Sequence, residues 1–155
     1  MAIVRGTFSD EARKTTGEAL QQVLADLINL GLLAKQAHWN VTGPNFRSLH
    51  LQLDEIADLA RGFSDQVAER AAAIGFNPDG RAATVAGAST LPDIEHGDIE
   101  DGAVVEIISD ALLILIRTLR GTVSETAQTD LVSQGLLIEI TAAIEKQYWL
   151  FQAQH

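Results

Sequence analysis

From Ser9 to about Ala37 the residues Leu20, Val23, Leu24, Leu27, Leu30 and Ala34 recur at spacings of three and four, which predicts a helix with one buried face. Gly43 and Pro44 then break the pattern, and Asn45 stands where the N-cap of a following helix belongs. The second helix is predicted over about 46–74, carried by Leu49, Leu53, Ile56, Ala60, Phe63 and Val67 and stopped by Gly75 and Pro78. Between Gly75 and Gly97 the texture turns to glycine, proline, threonine and small residues without a sustained period, the mark of a long surface connection. A third helix follows over roughly 98–127, with Val104, Ile108, Leu112, Leu115 and Leu119 on its apolar face, and a fourth over 133–153, with Ser133 as its N-cap. Helices joined by short linkers must lie antiparallel, so the first pairs with the second and the third with the fourth. The connection of about twenty residues between them can travel the length of a long helix, which makes the second and third parallel. The expected fold is all-α: a four-helix bundle with one long crossover, a single domain over residues 1–155.

Composition changes the picture in four ways. Hydrophobic residues make up 46% and charged residues 21%, a balance that suits a folded globular domain. The longest apolar stretch, Ala111 to Ile116, is far short of the roughly 20 residues that cross a bilayer, and Met1 to Asp10 lacks the apolar centre of a secretory signal, so the chain reads as cytoplasmic. With no cysteine, disulfides and thiolate ligands are excluded, and any metal must be held by nitrogen and oxygen. The net charge of −10 repels nucleic acid and attracts cations. Neither end offers a basic arm: Met1 to Asp10 carries only Arg5 and Asp10, and Tyr148 to His155 has no Lys or Arg. DNA binding is expected to be weak or absent.

The candidate chemistry lies on the second helix. His50, Asp54, Asp65 and Glu69 fall at about 0°, 40°, 60° and 100° around its axis and so share one face. His38, at the end of the first helix, can approach the His50 and Asp54 end of that face. Imidazole and carboxylate are suitable ligands for iron, zinc or manganese. At a rise of about 1.5 Å per residue, however, Asp54 and Asp65 are about 16 Å apart, so one chain cannot gather all five residues around one ion. Two half-sites result. A second copy of the helix, packed antiparallel across a two-fold axis, would bring the Asp65 and Glu69 of one subunit to the His38, His50 and Asp54 of the other, and two complete sites would form at the interface. Helical carboxylates are usually a solvated face, which is the reading given to Glu55 and Asp58. A histidine ending a helix is commonly a partner of the helix dipole, and His96 and His155 are set aside.

The segment K-Q-A-H-W-N-V-T-G-P-N-F-R-S-L-H-L-Q-L-D from Lys35, followed by D-Q-V-A-E-R from Asp65, resembles the signature of the Dps family of mini-ferritins, a branch of the ferritin-like proteins. That pattern is a His, a second His twelve residues on, an Asp four later, an Asp eleven later and a carboxylate four beyond; His38, His50, Asp54, Asp65 and Glu69 match each position. The likeness extends more loosely over nearly the whole chain, including E-K-Q-Y-W-L-F from Glu145. The resemblance implies a ferroxidase and iron store: a hollow homo-dodecamer that binds non-haem ferrous iron at sites shared between two-fold-related subunits. It also implies that the iron is oxidised, preferentially with hydrogen peroxide, and stored as ferric mineral. Trp39 resembles the family's tryptophan near the site, where it would intercept radicals or simply pack in the interface.

Neighbouring families fit less well. No histidine here has a Glu three residues before it, as a site inside one bundle would require, and Met1 is the only methionine, which argues against a haem held between two methionines. Two departures from the Dps pattern matter. The lysine-rich tail of DNA-binding members is missing. The stretch D-L-V-S-Q-G-L-L from Asp130 resembles the part of the family lining the pores that admit iron, yet Gly135 stands at the second acidic position, leaving Asp130 as the candidate pore residue. A contrasting possibility is a cage protein whose cluster holds Zn²⁺ as a structural clip without oxidase activity, since zinc binds such donors more tightly than ferrous iron.

Overall fold

The computed structural model describes residues 8–154; the stretch 1–7 and His155, on which part of the reading of the chain ends rests, lie outside the described residues. The first helix, α1 (Asp10–Asn40), opens on Ser9, whose hydroxyl accepts a 3.1 Å bond from the Ala12 N–H. It is followed by β1 (Val41–Thr42), α2 (Phe46–Ala73), α3 (Ala82–Ala88), β2 (Ile99–Glu100), α4 (Asp101–Thr126) and α5 (Leu131–Gln152). Helix α1 packs along α2, and α4 along α5, with α1 also against α4. Bonds at the helix ends give the directions. Asp101, at the start of α4, accepts from the N–H of Asn45 just before α2, while Arg70, near the end of α2, reaches Asp130 and Ser133 at the start of α5. Helices α2 and α4 therefore run parallel, in a four-helix bundle with one crossover.

The periodic positions named from sequence make the core. Leu20, Leu27, Leu30, Leu53, Ile56, Ile108, Leu112 and Leu115 are all fully buried, each contributing about 2 kcal/mol of apolar transfer. Gly17 lies in the same interior because Phe76 lies across it: a Cβ there would sit 2.0 Å from the ring, so the helix carries a residue that costs it about 1 kcal/mol relative to alanine.

Four local expectations are corrected. The crossover is not featureless surface, since it forms α3 and buries Val85 and Leu91. Its register is set by a polar stripe on α1 that apolar periodicity does not reveal. Gln21 exchanges bonds with the main chain of Asp79, and Gln22 donates to the Ala88 carbonyl. The fully buried Asp26 accepts from the Ser89 hydroxyl at 2.9 Å and from the Thr90 N–H and hydroxyl at 2.7 and 3.0 Å. Second, β1 and β2 pair in parallel, Val41 with Ile99 and Thr42 with Glu100, and two-residue strands leave no alternating pattern to read. Third, α5 starts at Leu131 and is capped by Asp130, not Ser133, because the longer carboxylate reaches the N–H groups of both Val132 and Ser133. Fourth, Asn45 precedes α2 but gives it no side-chain cap; the N–H of Asn45 instead turns to Asp101.

Candidate metal centre

The turn after α1 folds the chain back so that His38 and His50 meet. Their rings stack at 3.7 Å with planes 12° apart, and Phe46 also stacks with His50 at 5.0 Å. The His38 Nδ1 donates to the main-chain carbonyl of His50 at 2.6 Å, and the His50 Nδ1 donates to that of His38 at 2.8 Å. A carbonyl only accepts, so both Nδ1 atoms carry hydrogen. In the neutral rings Nε2 then holds the lone pair, the tautomer that can bind a metal.

Asp54 lies on the same side of α2, one turn beyond His50. Its carboxylate is paired with the Lys35 ammonium from α1, and that bond holds the Asp54 carboxyl below the usual carboxylate range. Asp54 is thus ionised at neutral pH and already pairs with a cation. Lys35 was not singled out from sequence, though its place three residues before His38 puts both on one helix face.

Asp65 and Glu69 are exposed further along α2. Among the described residues of a single chain, no three His, Asp or Glu side chains converge as a metal site would need. The structure therefore brings the His38 and His50 rings together, with Asp54 one turn along α2 and paired with Lys35, and leaves Asp65 and Glu69 at the other end, about 16 Å away by helical rise. Trp39, beside His38, is 67% exposed, and Leu32, Phe46 and Leu51 also present apolar surface on α1 and α2.

Asp130 stands at the start of α5. Its side chain is 8% exposed, it caps α5, and it binds the Arg70 guanidinium at 2.8 Å and the Ser133 hydroxyl. Burial works to raise its pKa, but the bonds from Ser133 and Arg70 outweigh that and hold the carboxyl below the usual range. Gly135 is exposed on the next turn. No helix among the described residues is long and apolar enough to cross a membrane.

Residues 17–155 match the ferritin-like domain family. DNA protection during starvation protein 2 of Deinococcus radiodurans is 35% identical over 143 residues, covering 92% of this chain, which spans only 59% of that protein's length. The DNA protection during starvation protein of Mycolicibacterium smegmatis is 32% identical over 149 residues, covering 94% of this chain and 80% of its own. The Dps of Microbacterium arborescens, solved in a high-iron form, superposes with a TM-score of 0.90 at 28% identity, covering 94% of this chain and 95% of that one. The chain belongs to the Dps family of the ferritin-like superfamily.

Proposed function

We propose that this protein is a ferroxidase and iron store that takes ferrous iron as substrate at sites completed between two copies of the chain. The observation that carries the reading is the histidine pair: two stacked imidazoles, each with Nδ1 tied to main chain and Nε2 left for a metal, next to an ionised Asp54. Asp65 and Glu69, facing the same way from the far end of α2, are the carboxylates a two-fold mate contributes. The exposed Leu32, Trp39, Phe46 and Leu51 supply apolar surface for that association, and the family resemblance implies a dodecamer built from such dimers.

The residues divide the work simply. His38 and His50 bind through Nε2, and the carboxylates of Asp54, Asp65 and Glu69 add negative charge, which stabilises ferric over ferrous iron. Lys35 holds the place of a cation at Asp54, but a partly solvated pair of this kind is weak, so a divalent ion with several ligands displaces it. With hydrogen peroxide as oxidant, two ferrous ions each lose one electron and the peroxide, taking up two protons, becomes two waters. That two-electron course releases no hydroxyl radical, and the ferric product is stored as mineral. Iron in the Microbacterium arborescens relative supports the assignment of the metal.

Anaerobic titration with ferrous iron followed by a peroxide pulse tests this. A rapid rise in ferric absorbance with about one peroxide consumed per two irons is expected. Tight zinc binding with no ferric signal would instead establish the structural clip. Protection of DNA, the property named in the relatives, then comes from removing iron and peroxide, not from wrapping the duplex, given the net charge of −10. Plasmid is expected to run at unretarded mobility beside the protein at physiological salt, and a retained band would contradict this.

A further inference from the structure

The reciprocal bonds between His38 and His50 join main chain to side chain across the α1–α2 turn, so they exist only while the two helix ends hold one register. Within the turn, the Phe46 N–H bonds the Gly43 carbonyl at 3.1 Å, but no side chain there fixes the start of α2. Helix α2 has no acidic residue in its first turn and no side-chain cap of its own, and Gly43 sits at φ +120°. Beyond the packing of α1 along α2, a side-chain restraint comes from the far side of the crossover. Asp101 Oδ2 accepts the Asn45 N–H at 3.0 Å while Oδ1 accepts the N–H of Gly102 at 2.8 Å, so one carboxylate joins the N-termini of α2 and α4. It places negative charge where α2 lacks any. The β1–β2 pairing ends at Thr42 and Glu100, directly before this contact. Gly43 makes room for it: a Cβ at that position would lie 2.8 Å from the Asp101 carboxyl carbon. The Asn45 N–H bond holds the Asp101 carboxyl below the usual range, so the clasp is charged at neutral pH.

We infer that Asp101 is a positioning residue for the metal centre: by clasping the α1–α2 turn it fixes the register in which His38 and His50 tie up each other's Nδ1 and present Nε2. The inference rests on the reading of the two histidines as ligands, but half of its test is independent of iron. Asp101→Ala and Asp101→Asn are made in the full chain in its native assembly. Nitrogen-15 NMR of histidine-labelled, metal-free protein reads the tautomers of His38 and His50, and anaerobic titration reads ferrous affinity.

Asp101→Ala is expected to convert both Nδ1–H signals into mixed tautomers and to weaken ferrous binding about tenfold, the effect usual for losing a group that orients ligands. Asp101→Asn, which keeps one oxygen for Asn45, is expected to fall between parent and Ala. A lower Tm with parental tautomers and parental affinity would show a merely structural role and overturn the inference. Should the Ala chain fail to fold, the Asn chain decides: mixed tautomers uphold the clasp and parental ones overturn it. If the parent itself binds no ferrous iron while Asp101→Ala still scrambles the tautomers, the clasp stands and the ligand reading falls.

Discussion

Mixing the His50→Ala and Glu69→Ala chains restores about a quarter of the parental iron-oxidation rate, although each variant alone is nearly inactive. The reasoning is geometric. His50 stands with His38 and Asp54 at one end of α2, and Glu69 lies with Asp65 about 16 Å along the same helix. If each site takes one half from each subunit, every site in either pure variant is defective. In a mixed dimer one site receives both lesions and the other neither. Random exchange makes half the dimers mixed, so about one site in four is whole. Peroxide-driven ferric absorbance, measured after mass spectrometry has verified subunit exchange, provides the readout. No recovery would mean that the two clusters do not belong to one site, whatever the fold.

Replacing Asp26 with Ala lowers stability by about 3 kcal/mol, because removing a buried acceptor strands the donors that relied on it. The Thr90 N–H, which bonds Asp26 at 2.7 Å, is fixed in place, whereas the Ser89 and Thr90 hydroxyls can rotate toward other partners. The main-chain donor therefore accounts for most of the loss. Among the described residues no Lys or Arg pairs with Asp26, so its role is to anchor the crossover on α1 and not to neutralise a charge. Denaturant unfolding should show a lower midpoint at an unchanged slope. A variant with the parental midpoint would show that α3 and the apolar contacts of Val85 and Leu91 hold the crossover by themselves. Ferrous affinity is expected to stay parental, since Asp26 lies three turns of α1 from His38.

Particular residues show how much could be read beforehand. Leu20 to Ala34 and Leu49 to Val67 were legible as helix faces because burial on a helix repeats every three or four residues, and the structure buries nearly all of them. The candidate ligands were legible for the same reason: helical spacing alone places His50, Asp54, Asp65 and Glu69 on one side. What escaped has no periodic signature. Lys35 pairs with Asp54 across two helices, Asp130 bonds back to Arg70, and Asp101 reaches the Asn45 N–H from the other end of the crossover. Such contacts join residues far apart in the chain, and nothing local distinguishes the carboxylate that makes one from its solvated neighbours. Asp130 is the sharpest case: nothing local announces that its carboxylate caps α5 and bonds to Arg70.

By itself, the order of residues determined that the chain forms long helices, that the crossover sets two of them parallel, and that the donors on α2 fall into two groups too far apart for one ion. Those are consequences of helical rise, helical period and linker length, all of which act within a segment. Only the tertiary structure decided which nitrogen of each histidine remains free, because that depends on carbonyls brought close by the return of α2 against α1. It also decided that a carboxylate from α4 secures the turn. A hydrogen bond is sensitive to tenths of an ångström and a few tens of degrees, and such distances between remote segments exist only once the core has packed.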